Sequence, residues 1–82
     1  MTDYLNPDKL YPDDINRRIA RNLRRIMAEE GITASMLADW AGVHDNTVYR
    51  ITSQERAPRV DTLYRLAQIL RRSMDEFVVE SE

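Results

Sequence analysis

The chain has no cysteine, one histidine, one lysine and two glycines among its 82 residues. Without cysteine there is no disulfide staple and no thiolate metal site, which suits a reducing cytoplasm. The lone histidine, His44, has no partners at metal-ligand spacing. It also has no accompanying nucleophile and base, so the sequence predicts no enzyme, metal site or cofactor. Two isolated glycines make no phosphate-cradling loop. No run of 18 apolar residues is present, so no segment is expected to span a membrane. The first 15 residues are polar and acidic, unlike a signal peptide. No stretch alternates as a strand does, and no repeat or low-complexity segment appears.

What the chain does have is arginine, unevenly placed. Residues 1–14 hold four acids against Lys9, and residues 73–82 hold four acids and no base. Residues 15–72 carry eleven arginines against six acids, a net of +5 inside a chain of net charge −2. Arginine's planar fork suits phosphates and base edges, although arginines also simply solvate helix surfaces. A single domain is expected at this length, too small for a large core, so efficient packing or a partner subunit must supply stability.

Helical periodicity organises most of the chain. Residues 1–12, with two prolines, read as an N-terminal arm, whose Tyr4, Leu5, Leu10 and Tyr11 are apolar enough to pack on the domain or a neighbour. Residues 13–79 read as the domain and 80–82 as an acidic tail. The first helix is expected to start at an Asp13 or Asp14 cap, to bury Ile15, Ile19, Leu23, Ile26 and Met27, and to end at Gly31. Thr33 should cap a second helix over 34–41, with Leu37, Ala38 and Ala41 inward and Trp40 outward. Gly42 turns the chain into a third helix over about 44–53, capped by His44 or Asp45, with Val48 and Ile51 inward. A loop closed by Pro58 leads to a fourth helix over about 60–71, burying Leu63, Leu66, Ala67 and Leu70. Ser73 and Glu76 have capping-box spacing, which predicts a short fifth helix from Ser73. The fold class is therefore all-α, with five short helices.

Two helices joined by a tight glycine turn form a helix-turn-helix unit. Ala38 is small where the third helix must cross the second. Val43, Val48 and Ile51 anchor the third helix, leaving 45, 46, 49 and 50 outward for a major groove. Leu37-Ala38, Gly42-Val43, Thr47-Val48 and Ile51 are followed in register by Pro58, Thr62-Leu63, Leu66-Ala67, Leu70 and Met74-Asp75-Glu76-Phe77. Over residues 15–78 this pattern resembles the Cro/C1-type (XRE-like) helix-turn-helix family of bacterial and phage transcriptional regulators. The resemblance implies a five-helix lambda-repressor-like domain with its helix-turn-helix at the second and third helices. It implies a cytoplasmic repressor that binds double-stranded DNA as a homodimer on a pseudo-palindromic operator.

Carried over residue by residue, the resemblance places Asp45, Asn46, Thr47, Tyr49 and Arg50 at base-reading or adjacent phosphate positions. Thr33 and Ser35 stand at the phosphate end of the second helix, His44 in the turn, and Arg56 and Arg59 beside the backbone track. Arg17 or Arg18 also becomes a candidate for DNA. Asp45 either accepts from a cytosine amino group or caps the third helix, with capping slightly favoured. Met74, Phe77, Val78 and Val79 either complete the core or form part of a dimer seam with the fourth helix.

The departures matter as much. Ala34 stands where the family has a phosphate-touching glutamine. Met27 and Thr52 replace an arginine–glutamate pair, and both halves are gone together. Losing one alone would strand a charge at about 3–5 kcal/mol. Gln54 replaces a glycine after the third helix, which puts that loop's geometry in question. With Asp45 and the net charge of −2, the Ala34 departure favours a rival reading, a protein-interaction adaptor that retains the fold with weak or no DNA binding.

Overall fold

A computed structural model describes residues 12–79. The expected N-terminal arm, apart from Pro12, and the acidic tail lie outside the described residues. Among those described, the chain forms five helices and no strand. They are α1 (Pro12–Glu30), α2 (Ala34–Ala41), α3 (Asp45–Thr52), α4 (Val60–Leu70) and α5 (Asp75–Val78).

The α1 helix opens on Pro12, so Asp13 and Asp14 are not its cap but part of its first turn. Proline's fixed φ suits a first helical position, where its missing N–H is not needed. Asp14, in the first turn, still meets the positive end of the helix dipole. At the other end Gly31 takes φ 70°, and Ile32 N–H reaches back to the Met27 carbonyl at 3.0 Å. This is the left-handed cap expected of a glycine there.

The core is made of the residues that the periodicity selects, joined by Ala20, which it passes over, and by Phe77, which the sequence leaves between core and dimer seam. Leu23, Ile26, Leu37, Ala38, Val48, Leu66 and Phe77 are all buried, and Ile15 and Val43 pack half-buried against them. Helices α2 and α3 pack on each other, α1 lies against α3 and α5, and α2 lies against α4. Ala38 is fully buried, consistent with a close α2–α3 crossing.

Three further local expectations change. The third and fourth helices are each shorter than the sequence suggests, and α4 stops because Arg71 adopts a left-handed conformation, φ 57°. The capping box at Ser73 does not form. Met74 precedes α5 without a side-chain cap bond, and the Glu76 carboxylate turns to Arg72 at 3.2 Å. Arg72 also bonds Glu29 and Glu30, at 3.2 and 2.9 Å, so one guanidinium gathers three carboxylates and holds that of Glu76 away from Ser73.

Two further features escape the periodic reading. Asn22 is fully buried, and its side-chain N–H groups donate to the carbonyls of Phe77 and Val79 at 3.0 and 2.9 Å. Its amide oxygen accepts from Arg25. A polar group in a core needs partners, and here it uses them to fasten α5 to α1. Where the family's arginine–glutamate pair is missing, Arg24 donates to the backbone carbonyl of Thr52, the last residue of α3. Helix α1 thus still holds the far end of α3, through a carbonyl instead of a carboxylate.

Candidate nucleic-acid interface

The tight turn is built from both sides. Thr33 caps α2, its hydroxyl oxygen accepting the Met36 N–H at 3.1 Å. At the far end Gly42 adopts φ 71°, and Val43 N–H donates to the Ala38 carbonyl at 3.0 Å. Two residues later α3 begins. Its cap is His44, whose Nδ1 accepts the Asn46 N–H at 3.1 Å. The alternative that Asp45 caps α3 is thereby corrected. Asp45 is the first helical residue, and its carboxylate remains on the surface.

Val48 and Ile51 seal the inner face of α3 at 0% and 3% exposure. Thr52 is also buried, and its hydroxyl donates to the Tyr49 carbonyl at 3.0 Å. Asp45, Asn46, Tyr49 and Arg50 are exposed, Thr47 is half-buried, and Tyr49 shows 58% of its surface. Residues four apart line up on a helix, so the outer face carries two rows, Asp45 with Tyr49 and Asn46 with Arg50. The side chains of Asn46 and Arg50 have hydrogen-bonding groups and make no side-chain hydrogen bond or ion pair among the described residues.

The loop after α3 folds back on that helix. Glu55 and Arg56 N–H groups both point to the Arg50 carbonyl, at 2.9 and 3.4 Å. Gln54 adopts φ 65°, the left-handed conformation that a glycine takes easily, so the loop keeps its course despite the departure at this position. The fold-back opens a concavity of about 190 Å³ between α3 and the start of α4. Ile51, Ala57 and Pro58 contribute apolar surface to it, and Thr47 and Thr62 contribute hydroxyls. Arg50, Arg56 and Arg59 also line it, and no carboxylate does. Arg59 makes an exposed ion pair with Asp61 at 3.3 Å, a weak bond that a phosphate can displace.

The remaining candidates fall in different places. Ser35 is exposed in the first turn of α2, and Ala34 beside it is half-buried. Arg17 pairs with Asp14 at 2.9 Å, and Arg18 reaches the Val78 carbonyl at 3.5 Å, which ties Arg18 to the α1–α5 seam. Of the possible seam residues, Phe77 is fully buried and Met74 and Val78 pack half-buried against the core, while Val79 is 48% exposed. Trp40 is 51% exposed, outside the core stripe as its position on α2 suggests.

Among the described residues, no helix is long and apolar enough to cross a membrane, and no group of three potential metal ligands occurs. A comparison with curated proteins finds no match. A family model described as Helix-turn-helix matches residues 23–77, which runs from the middle of α1 through the turn and α3 into α5. With that match over well more than half its length, the chain belongs to the Cro/C1-type helix-turn-helix family, a family of DNA-binding regulators and not of enzymes.

Proposed function

We propose that the chain is a sequence-specific transcriptional repressor that binds a pseudo-palindromic operator as a homodimer, with α3 in the major groove. The observation that carries this reading is the division of α3 into a sealed back, Val48 and Ile51, and an exposed row of hydrogen-bonding side chains. Asn46 has the donor and acceptor that adenine's edge requires, and Arg50 the fork that guanine O6 and N7 accept. Tyr49 and Thr47 offer apolar surface to a thymine methyl. The concavity beside α3 suits one sugar–phosphate unit, with the sugar on Ala57 and Pro58 and the phosphate between Arg56 and Arg59. Backbone N–H groups at the start of α2, near Thr33 and Ser35, meet a second phosphate. His44, with Nδ1 committed to its cap, has Nε2 left to meet a third.

Two copies related by a two-fold axis place their α3 helices about one DNA turn, roughly 34–36 Å, apart. Val79 and the α4 surface supply part of the seam, and Phe77 supports it from the core. A dimer on a promoter blocks access to it, which is the basis for repression.

The rival adaptor reading draws on a specific observation, the half-exposed Trp40 and the exposed Met36 one turn before it on α2. One experiment separates the two. The purified protein is titrated with duplexes from the region flanking its own gene over a salt series, alongside Arg50→Ala. A DNA reader loses affinity by orders of magnitude between low and moderate salt. Arg50→Ala should weaken the preferred site by about 1–3 kcal/mol with little change in melting temperature. Salt-insensitive binding, or an Arg50→Ala affinity equal to wild type, would contradict the assignment.

A further inference from the structure

Asp45 stands where a carboxylate opposes DNA. It is the first residue of α3, exposed, on the same outer face as Asn46, Tyr49 and Arg50. The helix does not need it as a cap, because His44 Nδ1 already accepts the Asn46 N–H. Among the described residues no ion pair or side-chain hydrogen bond of Asp45 is found that would neutralise it, in contrast to Asp14, Glu29 and Asp61, which each pair with an arginine. In a chain already at net charge −2, an unpaired carboxylate on the reading face repels every duplex.

That cost is recovered at only one kind of base edge. A carboxylate accepts and cannot donate. In the major groove guanine presents two acceptors, N7 and O6, and thymine presents O4 and a methyl. Adenine sets its N7 acceptor beside its N6 amino group. Cytosine presents an N4 amino donor with no acceptor of its own in that groove.

We propose that Asp45 is a specificity-determining residue that acts largely by exclusion. It lowers affinity for DNA in general and restores it only where a C·G pair brings a cytosine amino group to the N-terminus of α3. This rests on the DNA-binding reading above. An acid in the first turn also suits the helix dipole. That role alone affects stability and leaves base preference untouched, so the two are separable by experiment.

The test enriches duplexes from a randomised library with the full chain, as wild type, Asp45→Ala and Asp45→Asn. Affinities are then measured for the wild-type winner, for the three base-pair changes at the column concerned, and for an unrelated duplex at one salt concentration. Melting curves of all three proteins are recorded. Wild type should enrich a C·G column whose replacement costs about tenfold in affinity. Asp45→Ala should lose that column's preference, keep the others, and bind the unrelated duplex a few-fold more tightly. Asp45→Asn should move the column towards adenine, which a side-chain amide matches with a donor and an acceptor. Identical columns in wild type and Asp45→Ala overturn the proposal, whether or not the melting temperature falls. If wild type enriches no sequence at all, the DNA-reading function fails and this inference with it. Enrichment with an unmoved column removes the Asp45 role alone.

Discussion

At Asn22 a fully buried amide holds two carbonyls of the C-terminal segment. Replacing it with alanine leaves the Phe77 and Val79 oxygens without those donors. The expected cost is about 1–3 kcal/mol, or roughly 4–20 °C in melting temperature for a domain of this size. A melting temperature within 2 °C of wild type (about the smallest resolvable shift) would show that solvent replaces the amide at no cost. Gln54 presents the opposite case. Its φ of 65° is strained for a residue with a Cβ, and the family's glycine relieves it. Gln54→Gly should therefore stabilise the fold by about 1 kcal/mol, read from the midpoint of urea unfolding. A lower midpoint would mean that the glutamine side chain holds the loop. From sequence, Gln54 puts the loop's geometry in question. The backbone hydrogen bonds from Glu55 and Arg56 to Arg50 fix the turn, and residue preference adjusts to it. Asn22 gives no local signal of its burial, because the two carbonyls it holds lie more than fifty residues away.

The helices differ in how openly the sequence declares them. Thr33 and Gly42 bracket α2 as read, since an N-cap and a left-handed glycine depend only on adjacent residues. The α5 helix is misplaced because its start is decided across the fold, where Arg72 gathers Glu29, Glu30 and Glu76. The hydrogen bond from Arg25, aided by Arg72, holds the Glu29 carboxyl below its ordinary value of 4.5 against an opposing effect of burial. A carboxyl depressed in the folded state adds stability above its unfolded value and loses it as pH falls through the folded one. Wild type should therefore be more stable than Glu29→Gln near neutrality, with the difference shrinking below about pH 4.5 in melting curves. A difference constant down to pH 3 would assign the effect to something other than the Glu29 charge. The Glu30 and Glu76 bonds act on Arg72 in the same sense, raising its already high value. That group stays charged at every pH in this range.

At the scale of the whole molecule, the charge map sorts eight of the eleven arginines into two groups. Arg17, Arg25 and Arg72 are committed to carboxylates, and Arg18 and Arg24 to backbone carbonyls. Arg50, Arg56 and Arg59 face the concavity beside α3. The sequence announces a basic middle but not this division, because the pairing of Arg72 with Glu29 and Glu30 at the end of α1 is a tertiary event. The outward row on α3 was legible because it needs only the burial of Val48 and Ile51 and a helical period. The Arg24 bond to the Thr52 carbonyl has a consequence for how the domain opens. It joins the end of α3 to the longest helix, so amide protons of the two should exchange with deuterium in one cooperative event, at the free energy of global unfolding. If α3 instead exchanged well ahead of α1, the surface offered to a groove would be a separately melting unit, and its order would have to come from the duplex itself.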